Sequence, residues 1–351
     1  MDHMERLWKN NNIYRESGMF AGKKRINLMF PAQNIISVTA HVSGEVFLSG
    51  RDFYHEPGDN FITWSAGSKI PYLPPESLHP TAGNNLRLYP DPTANAVSGA
   101  VNGGNLLFDN RDFFALNQVD ISYTTLAMDF SSDLDFQRDR LPYFREKLAR
   151  QQPLKITLIG DSISFGLNAT KVVDSPPFAP CYIEQVAAAA GVNISVCNRA
   201  VSGTGICDAA DIEADYLEDS PNLLIIAYGM NNFAGMPVEL FVSKLQELIS
   251  SCRMKNPHTE YVVVSSMSGH PGWKPTPPGP DRIYAEELRK FVASQDSYVA
   301  LADVHKVWCK FLERKDFYDL TGNGVNHPND YGHRIYASVI LELLTGKKFF
   351  N

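Results

Sequence analysis

Four polar segments in the second half of the chain contain residue types that suit nucleophilic catalysis. Ser162 follows a Gly-Asp pair in the first segment, and His327 lies in the last, near the C-terminus. A serine hydroxyl becomes a nucleophile when a base such as histidine lies within hydrogen-bond reach of it. Between them, Gly203 offers a backbone N–H and Asn231 a side-chain amide, the kinds of donor that an oxyanion hole requires.

Each of these segments, taken alone, also fits an ordinary turn. The first is not the GxSxG elbow of α/β-hydrolases, because Ser164 occupies the place of the last glycine. It also lacks the Gly-Lys-Ser/Thr of a phosphate-binding loop. Asn231 fits a turn whose amide is satisfied locally, and His333 lies inside a predicted helix, where a structural role is favoured.

An alternation of strands and helices after Pro153 places these segments. Strands are predicted near residues 154–159, 192–196, 223–227, 261–265 and 298–302, and helices near 182–190, 208–218, 237–254, 281–294 and 330–345. Almost entirely apolar strands between helices indicate a parallel sheet covered on both faces. In such sheets the chemistry gathers beyond the carboxyl ends of the strands. The first three segments follow predicted strands, and His327 precedes the last helix, whose first turn Asp330 is expected to cap.

The first half of the chain has a different pattern. Short apolar or alternating stretches recur at 35–42, 45–48, 60–64, 85–89, 105–108 and 120–128, separated by turn residues. This punctuation favours a β-sandwich or jelly roll. We therefore predict an N-terminal extension at 1–25, an all-β sandwich at 26–130, a connector at 131–153 and an α/β domain at 154–351.

The four segments, in this order and on these elements, resemble the four motif blocks of the SGNH (GDSL) hydrolase superfamily over about residues 154–349. The resemblance implies a flavodoxin-like αβα sandwich and hydrolysis of esters without a metal or other cofactor. It implies that Ser162 is the nucleophile and His327 the base. The oxyanion hole would comprise the backbone N–H groups of Ser162 and Gly203 and the side chain of Asn231.

Two positions depart from the pattern of that family. The block that usually reads Gly-x-Asn-Asp ends in Asn232, and the aspartate expected three residues before the catalytic histidine is replaced by Gly324. The third member of the triad is therefore open. Asn323 could orient the imidazole, an acid such as Asp319 or Asp330 could fold in, or backbone carbonyls could serve a Ser-His dyad.

Composition restricts the partners and the compartment. The formal charge of −7 argues against nucleic acid or an anionic membrane surface as the main partner. We expect no membrane span, because no apolar run reaches about 18 residues. No signal-peptide core is seen, so a cytoplasmic location is expected, or a secreted or periplasmic one if a signal was removed. The five cysteines include no CxxC pair, so neither a disulfide framework nor structural zinc is expected.

The expected substrate is an acetyl or other short-chain ester, on a small molecule or an oligosaccharide. A β-sandwich ahead of an SGNH domain is similar to the two-domain carbohydrate esterases. Trp273 could stack on a sugar ring, or it could anchor its Pro-rich loop. The alternatives are an acyl-thioesterase or lipid esterase and, because of Gly324, a catalytically weakened sugar-binding module. Formation of a homo-oligomer is left open.

Overall fold

The computed structural model describes residues 6–83, 85–134, 137–190, 193–210, 216 and 218–350. The strands are β1 (Trp8–Lys9), β2 (Asn12–Gly18), β3 (Phe20–Ala21), β4 (Arg25–Asn27), β5 (Ala32–Ala40), β6 (Val46–Phe47), β7 (Phe53–Tyr54), β8 (Phe61–Trp64), β9 (Tyr72–Leu73), β10 (Ala96–Ser98), β11 (Asn105–Leu107), β12 (Val119–Thr125), β13 (Leu154–Gly160), β14 (Ile194–Asn198), β15 (Leu223–Ala227), β16 (Glu260–Val264) and β17 (Val299–Ala302). The α-helices are α1 (Phe113–Asn117), α2 (Pro142–Ala149), α3 (Ser162–Phe165), α4 (Tyr182–Ala189), α5 (Val238–Lys255), α6 (Pro280–Ser294), α7 (Val304–Leu312), α8 (Phe317–Leu320) and α9 (Asp330–Thr345).

Strands β13 to β17 form one parallel sheet, in the order β14-β13-β15-β16-β17. Every residue of β15 and β16 is buried, as expected for strands covered by helices on both faces. The predicted α/β architecture is confirmed, and α5, α6 and α9 begin and end within one residue of their predicted bounds. Because β13 lies between β14 and β15, the loops after these three strands meet at one edge of the sheet.

One predicted helix lies only partly within the described residues, of which Tyr216 and Glu218 are helical. The prediction near 208–218 corresponds at its start to a short 3-10 turn, Ile206–Ala210. Residues 211–215 and 217 of that prediction lie outside the described residues.

The first half of the chain is rich in antiparallel strands, as predicted. One sheet has the order β1-β2-β12-β5-β6, and a smaller one has the order β4-β8-β7. The stretch at 85–89 forms no strand and contributes only a bridge from Leu88 to Ala96. Pro90 and Pro92 follow it and lack the N–H that a ladder needs.

Strand β2 shows that residues 12–18, expected to lie in an N-terminal extension, belong to the main antiparallel sheet. It pairs antiparallel with β12, from Gly18 opposite Val119 to Asn12 opposite Thr124. The sequence pattern concealed this strand because its buried Glu16 is charged. The Glu16 carboxylate accepts hydrogen bonds from Lys315 Nζ at 2.8 Å and from the Tyr123 hydroxyl at 2.7 Å.

The β-rich and α/β halves share one hydrophobic core. Trp8 of β1 is buried between rings from both halves, with its centroid 5.2 Å from that of Phe30 and 6.0 Å from those of Phe311 and Phe350. The change near residue 153 therefore separates two sheet types within a continuous core, and the division into domains stays a prediction. No helix in the described part of the chain is both long and apolar enough to cross a membrane.

Candidate active site

Ser162 begins helix α3 at the carboxyl end of β13. The preceding Asp161 caps this helix, since its side chain accepts a hydrogen bond from Ile163 N at 3.0 Å. Burial raises the pKa of Asp161 to about 7. Gly160 is required for the close approach of β15, because a Cβ there would lie 2.6 Å from Ala227 O. As the first helical residue, Ser162 has no intrahelical partner for its N–H, which suits it to receive an oxyanion.

His327 lies with its Nε2 atom 2.9 Å from Ser162 Oγ. The loop that carries it is fixed by Asn323, whose Oδ1 accepts the N–H groups of Val325, Asn326 and His327, each at 3.0 Å. Burial lowers the pKa of His327 to about 3. The imidazole is therefore neutral near pH 7, the state in which it can accept a proton.

The other imidazole nitrogen determines which tautomer is present. His327 Nδ1 lies 2.7 Å from Asn168 Oδ1. An amide oxygen only accepts hydrogen bonds, so Nδ1 carries the proton and Nε2 directs its lone pair at Ser162. Asn168 lies outside the four predicted segments, and its only signal in the sequence is its place in the loop that follows Ser162.

Of the three residues considered as a third triad member, only Asn323 touches the imidazole. It does so through Nδ2, 3.0 Å from Nδ1, but an amide nitrogen cannot accept the Nδ1 proton. Nδ2 donates instead to Asn326 Oδ1 at 2.9 Å. Asp319 accepts the N–H groups of Met19 and Asp316. Its carboxylate is used at the contact with the β-rich half of the chain.

Asp330 does not reach the imidazole either. Its carboxylate accepts hydrogen bonds from the N–H and hydroxyl of Thr170, at 2.9 and 2.6 Å, and contacts His41. The expectation that Asp330 caps the last helix is also corrected. Asn329 is the N-cap, since its side chain accepts the N–H of Gly332 at 2.9 Å, and Asp330 is already the first helical residue.

The loops that follow β14 and β15 carry the predicted oxyanion donors. Asn231 Nδ2 donates one hydrogen to Thr204 O at 2.9 Å, which leaves its second hydrogen for a ligand. The loop with Gly203 is hydrogen-bonded to the end of β13, two residues before Ser162, because Val201 N donates to Gly160 O at 2.9 Å. Gly203 has φ +85°, a conformation that favours glycine.

Asn232 occupies the position where the family resemblance leads one to expect an aspartate. Its Oδ1 accepts the N–H of Ile206 at 3.4 Å, so it connects the loops that follow β14 and β15. Its amide also lies close to Gly205, where a Cβ would approach Nδ2 to 2.7 Å. The amide oxygen of Asn232 can accept this N–H as a carboxylate oxygen would. The link between the two loops is therefore kept although the aspartate is absent.

Trp273 anchors its loop. Its indole N–H donates to Ser98 O at 3.0 Å, and its ring packs against a small cluster that includes Val97, Phe108 and Val325. These contacts favour the anchoring interpretation over sugar stacking. They also bring the β10–β11 hairpin against the loop that carries His327.

The GDSL-like lipase/acylhydrolase family matches residues 158–335, just over half of the 351 residues. The chain belongs to this family. Membership agrees with the parallel sheet and with the position of Ser162 at its edge. The fold class inferred from the motif segments is thereby confirmed.

Several solved structures are similar to this chain. One is a catalytic mutant of an acetylxylan esterase from Geobacillus stearothermophilus, with 18% identity, a TM-score of 0.45, and coverage of 56% of this chain and 95% of that one. Another belongs to the lipolytic G-D-S-L family from Veillonella parvula, with 18% identity, a TM-score of 0.44, and coverage of 54% and 98%. An acetyl xylan esterase has 21% identity, a TM-score of 0.43, and coverage of 53% and 98%. No curated protein sequence matches the chain.

Proposed function

We propose that this chain is a serine esterase that removes acetyl or other short acyl groups from carbohydrates, through an acyl-enzyme on Ser162. The observation that supports this most is the 2.9 Å contact between Ser162 Oγ and His327 Nε2. The imidazole is neutral and protonated on its other nitrogen, so it has the lone pair that a general base needs.

Acylation begins when Ser162 Oγ attacks the ester carbonyl carbon while His327 Nε2 takes the hydroxyl proton. The carbonyl oxygen becomes an oxyanion, which the N–H groups of Ser162 and Gly203 and the amide of Asn231 would stabilise. The intermediate collapses with cleavage of the ester C–O bond, and Nε2 returns the proton to the departing alcohol. Water then attacks the acyl-enzyme by the same route, and the carboxylic acid leaves.

The side chains next to Ser162 in sequence pack with little free volume. The cavity bounded by Asp161, Ile163, Ser164 and Tyr336 has a volume of only about 10 Å³. That is close to the room that one water molecule needs. Neither Ser162 nor His327 lines this cavity, so the acyl length is decided by the substrate test below. The carbohydrate part of the proposal comes from the arrangement of a β-rich half before the hydrolase sheet.

Hydrolysis of longer-chain esters is a second candidate, favoured by the surface beside the nucleophile. Phe165, on the same short helix as Ser162, is 47% exposed, and Val201, on the neighbouring loop, is 45% exposed. Apolar side chains exposed beside a nucleophile offer contacts to an acyl chain lying on the surface.

The test is acid release from acetylated oligosaccharides, and from 4-nitrophenyl acetate and palmitate, by the wild type, Ser162→Ala and His327→Gln. The matched control is Ser250→Ala, since Ser250 lies on exposed helical surface, where its hydroxyl accepts a hydrogen bond from Gln246. We expect acetate release by the wild type and by Ser250→Ala and its loss in the other two variants.

Acetate release that survives Ser162→Ala would overturn the mechanism. Hydrolysis of the palmitate ester with none of the acetate esters would favour the long-chain candidate. Binding of acetylated sugars without turnover would favour a sugar-binding module instead.

A further inference from the structure

The amide of Asn168 is fixed by the β-rich half of the chain. Asn168 is 4% exposed, and its Nδ2 lies 3.3 Å from Arg111 O and 3.5 Å from Asp109 O. A flipped amide would turn its oxygen towards these two carbonyl oxygens and leave them without a donor from this side chain. Only the other orientation gives both carbonyls a donor, and it presents Oδ1 to the imidazole.

The two carbonyls belong to a turn that is held by its own hydrogen bonds. The Asp109 carboxylate accepts the N–H of Arg111 at 2.6 Å and its guanidinium at 2.6 Å. Asp109 N also donates to Asn323 O at 3.3 Å, in the loop that carries His327. The turn at 109–111 therefore holds both the amide of Asn168 and the loop of the base.

The same half of the chain excludes a side chain where the family's aspartate is expected. Gly324 has φ +89°, and a Cβ there would lie 2.4 Å from Leu107 O and 2.6 Å from Phe114 Cζ. The backbone of β11 occupies the space that a carboxylate would need. The position that normally orients the histidine is thus closed by the same half of the chain that fixes Asn168.

We infer that Asn168 is the positioning residue of His327 and that the β-rich half, through the carbonyls of residues 109 and 111, completes the catalytic centre. This inference rests on the proposed function. Asn168 takes over the acceptor role of the missing aspartate but not its charge. It selects the tautomer with the proton on Nδ1, while the imidazolium formed during acylation has no carboxylate beside it.

The test compares Asn168→Gly and Asn168→Asp with the wild type. Asn168 has φ +67°, so glycine removes the amide without straining the backbone, and aspartate keeps an acceptor at Nδ1. We expect Asn168→Gly to lower kcat by up to about 10⁴-fold, the loss caused by replacing the orienting aspartate of a serine protease, with little change in KM. Nitrogen NMR of labelled histidine should then show His327 losing its fixed Nδ1–H tautomer.

Asn168→Asp distinguishes a positioning role from a purely structural one, because it changes the pH dependence of kcat/KM. A carboxylate beside Nδ1 stabilises the imidazolium, so the acid limb of the kcat/KM profile should move to higher pH and kcat should exceed that of Asn168→Gly. If Asn168→Gly does not fold, this shift alone decides the question, and an unmoved acid limb overturns the inference.

The role of the β-rich half is tested by a double-mutant cycle on kcat between Asp109→Asn and Asn168→Gly. Asp109→Asn weakens the turn at 109–111, so it should lower kcat in the wild-type background and change it little in Asn168→Gly. Equal effects in both backgrounds would overturn this step. Wild-type kcat in Asn168→Gly, with Ser162→Ala inactive, would refute the inference alone, whereas an active Ser162→Ala would refute the proposed function.

Discussion

Among the residues of the candidate site, His327 is the one whose protonation, in the proposed mechanism, decides whether Ser162 can be activated. Burial lowers its pKa from 6.5 to about 3, and the nearby His333 adds to this effect. A lowered pKa keeps the imidazole neutral in acid, where an exposed histidine would already be charged. The pH range in which His327 is neutral therefore extends further into acid, but His327 is a weaker base.

The pH profile of kcat/KM follows from this shift. The acid limb of kcat/KM reports the base of the free enzyme. We expect it to fall more than one pH unit below the 6.5 of an unperturbed imidazole. Initial rates on an acetate ester between about pH 4 and pH 8, with circular dichroism to confirm that the protein stays folded, measure it. A half-maximum at or above 6.5 would contradict the burial of a neutral His327.

Asn231 is expected to contribute through the transition state. Asn231→Ala should lower kcat by about 10²- to 10³-fold, the typical loss for one oxyanion donor, with little change in KM. Asn231→Asp should be slower still, because a carboxylate repels the oxyanion. Steady-state kinetics on 4-nitrophenyl acetate separate the two constants. Rates within about twofold of the wild type in both variants would exclude Asn231 from the oxyanion hole.

At the scale of elements, strand β11 and the loop at 321–327 approach each other so closely that Gly324 cannot carry a side chain. We expect Gly324→Ala to destabilise the protein by about 1–3 kcal/mol beyond the cost of its backbone conformation, because its Cβ would overlap Leu107 O. Chemical denaturation measures the loss.

The matched control for that variant is Gly103→Ala. Gly103 has nearly the same φ, +86°, but a Cβ there would meet nothing within 4 Å. It should therefore lose only about 1–2 kcal/mol, the backbone cost of the left-handed region. Equal losses in the two variants would show that the contact with β11 is not tight.

The sequence predicted the elements whose hydrophobic pattern is local to one strand or one helix. The apolar strands and the helices α5, α6 and α9 belong to this group, whereas the roles of Ser162 and His327 stay predictions. Asn168 escaped prediction because its orientation depends on carbonyls 57 and 59 positions away, in the other half of the chain. Strand β2 escaped because its buried charge is neutralised by Lys315, which lies 299 positions further on.

At the scale of the whole molecule, a buried ion cluster joins the two halves near the site. His41, at the end of β5, lies 2.9 Å from Asp120 of β12 and 2.9 Å from Asp330 of α9. Arg15 of β2 also pairs with Asp120, at 2.9 Å. Burial alone would lower the pKa of His41, but the two carboxylates outweigh it and raise the pKa to about 10.

The stability of the protein should therefore fall in alkali. A raised histidine pKa contributes stability that is fully present below the unfolded pKa of 6.5 and is lost as pH rises through about 10. His41→Gln should cost about 3–5 kcal/mol at pH 7, since it removes the cation shared by two buried carboxylates, which keep only Arg15 and the hydrogen bonds from Thr170. It should also flatten the decline between these pH values.

Denaturation curves across this pH range test the cluster, with His258→Gln as the control because His258 is exposed. The control should follow the wild type at every pH. A wild-type free energy of unfolding that does not decline above pH 6.5 would contradict a charged His41.

The central claim is that Ser162 forms a covalent acyl intermediate with the help of His327. A fluorophosphonate tests it most directly, because Ser162 Oγ would displace fluoride and keep the phosphonyl group, giving an adduct that mass spectrometry locates. We expect a single adduct on the peptide that contains Ser162, present in the wild type and in Ser250→Ala, absent in Ser162→Ala and strongly slowed in His327→Gln. An adduct of the same mass in Ser162→Ala, or no adduct in the wild type, would contradict the claim.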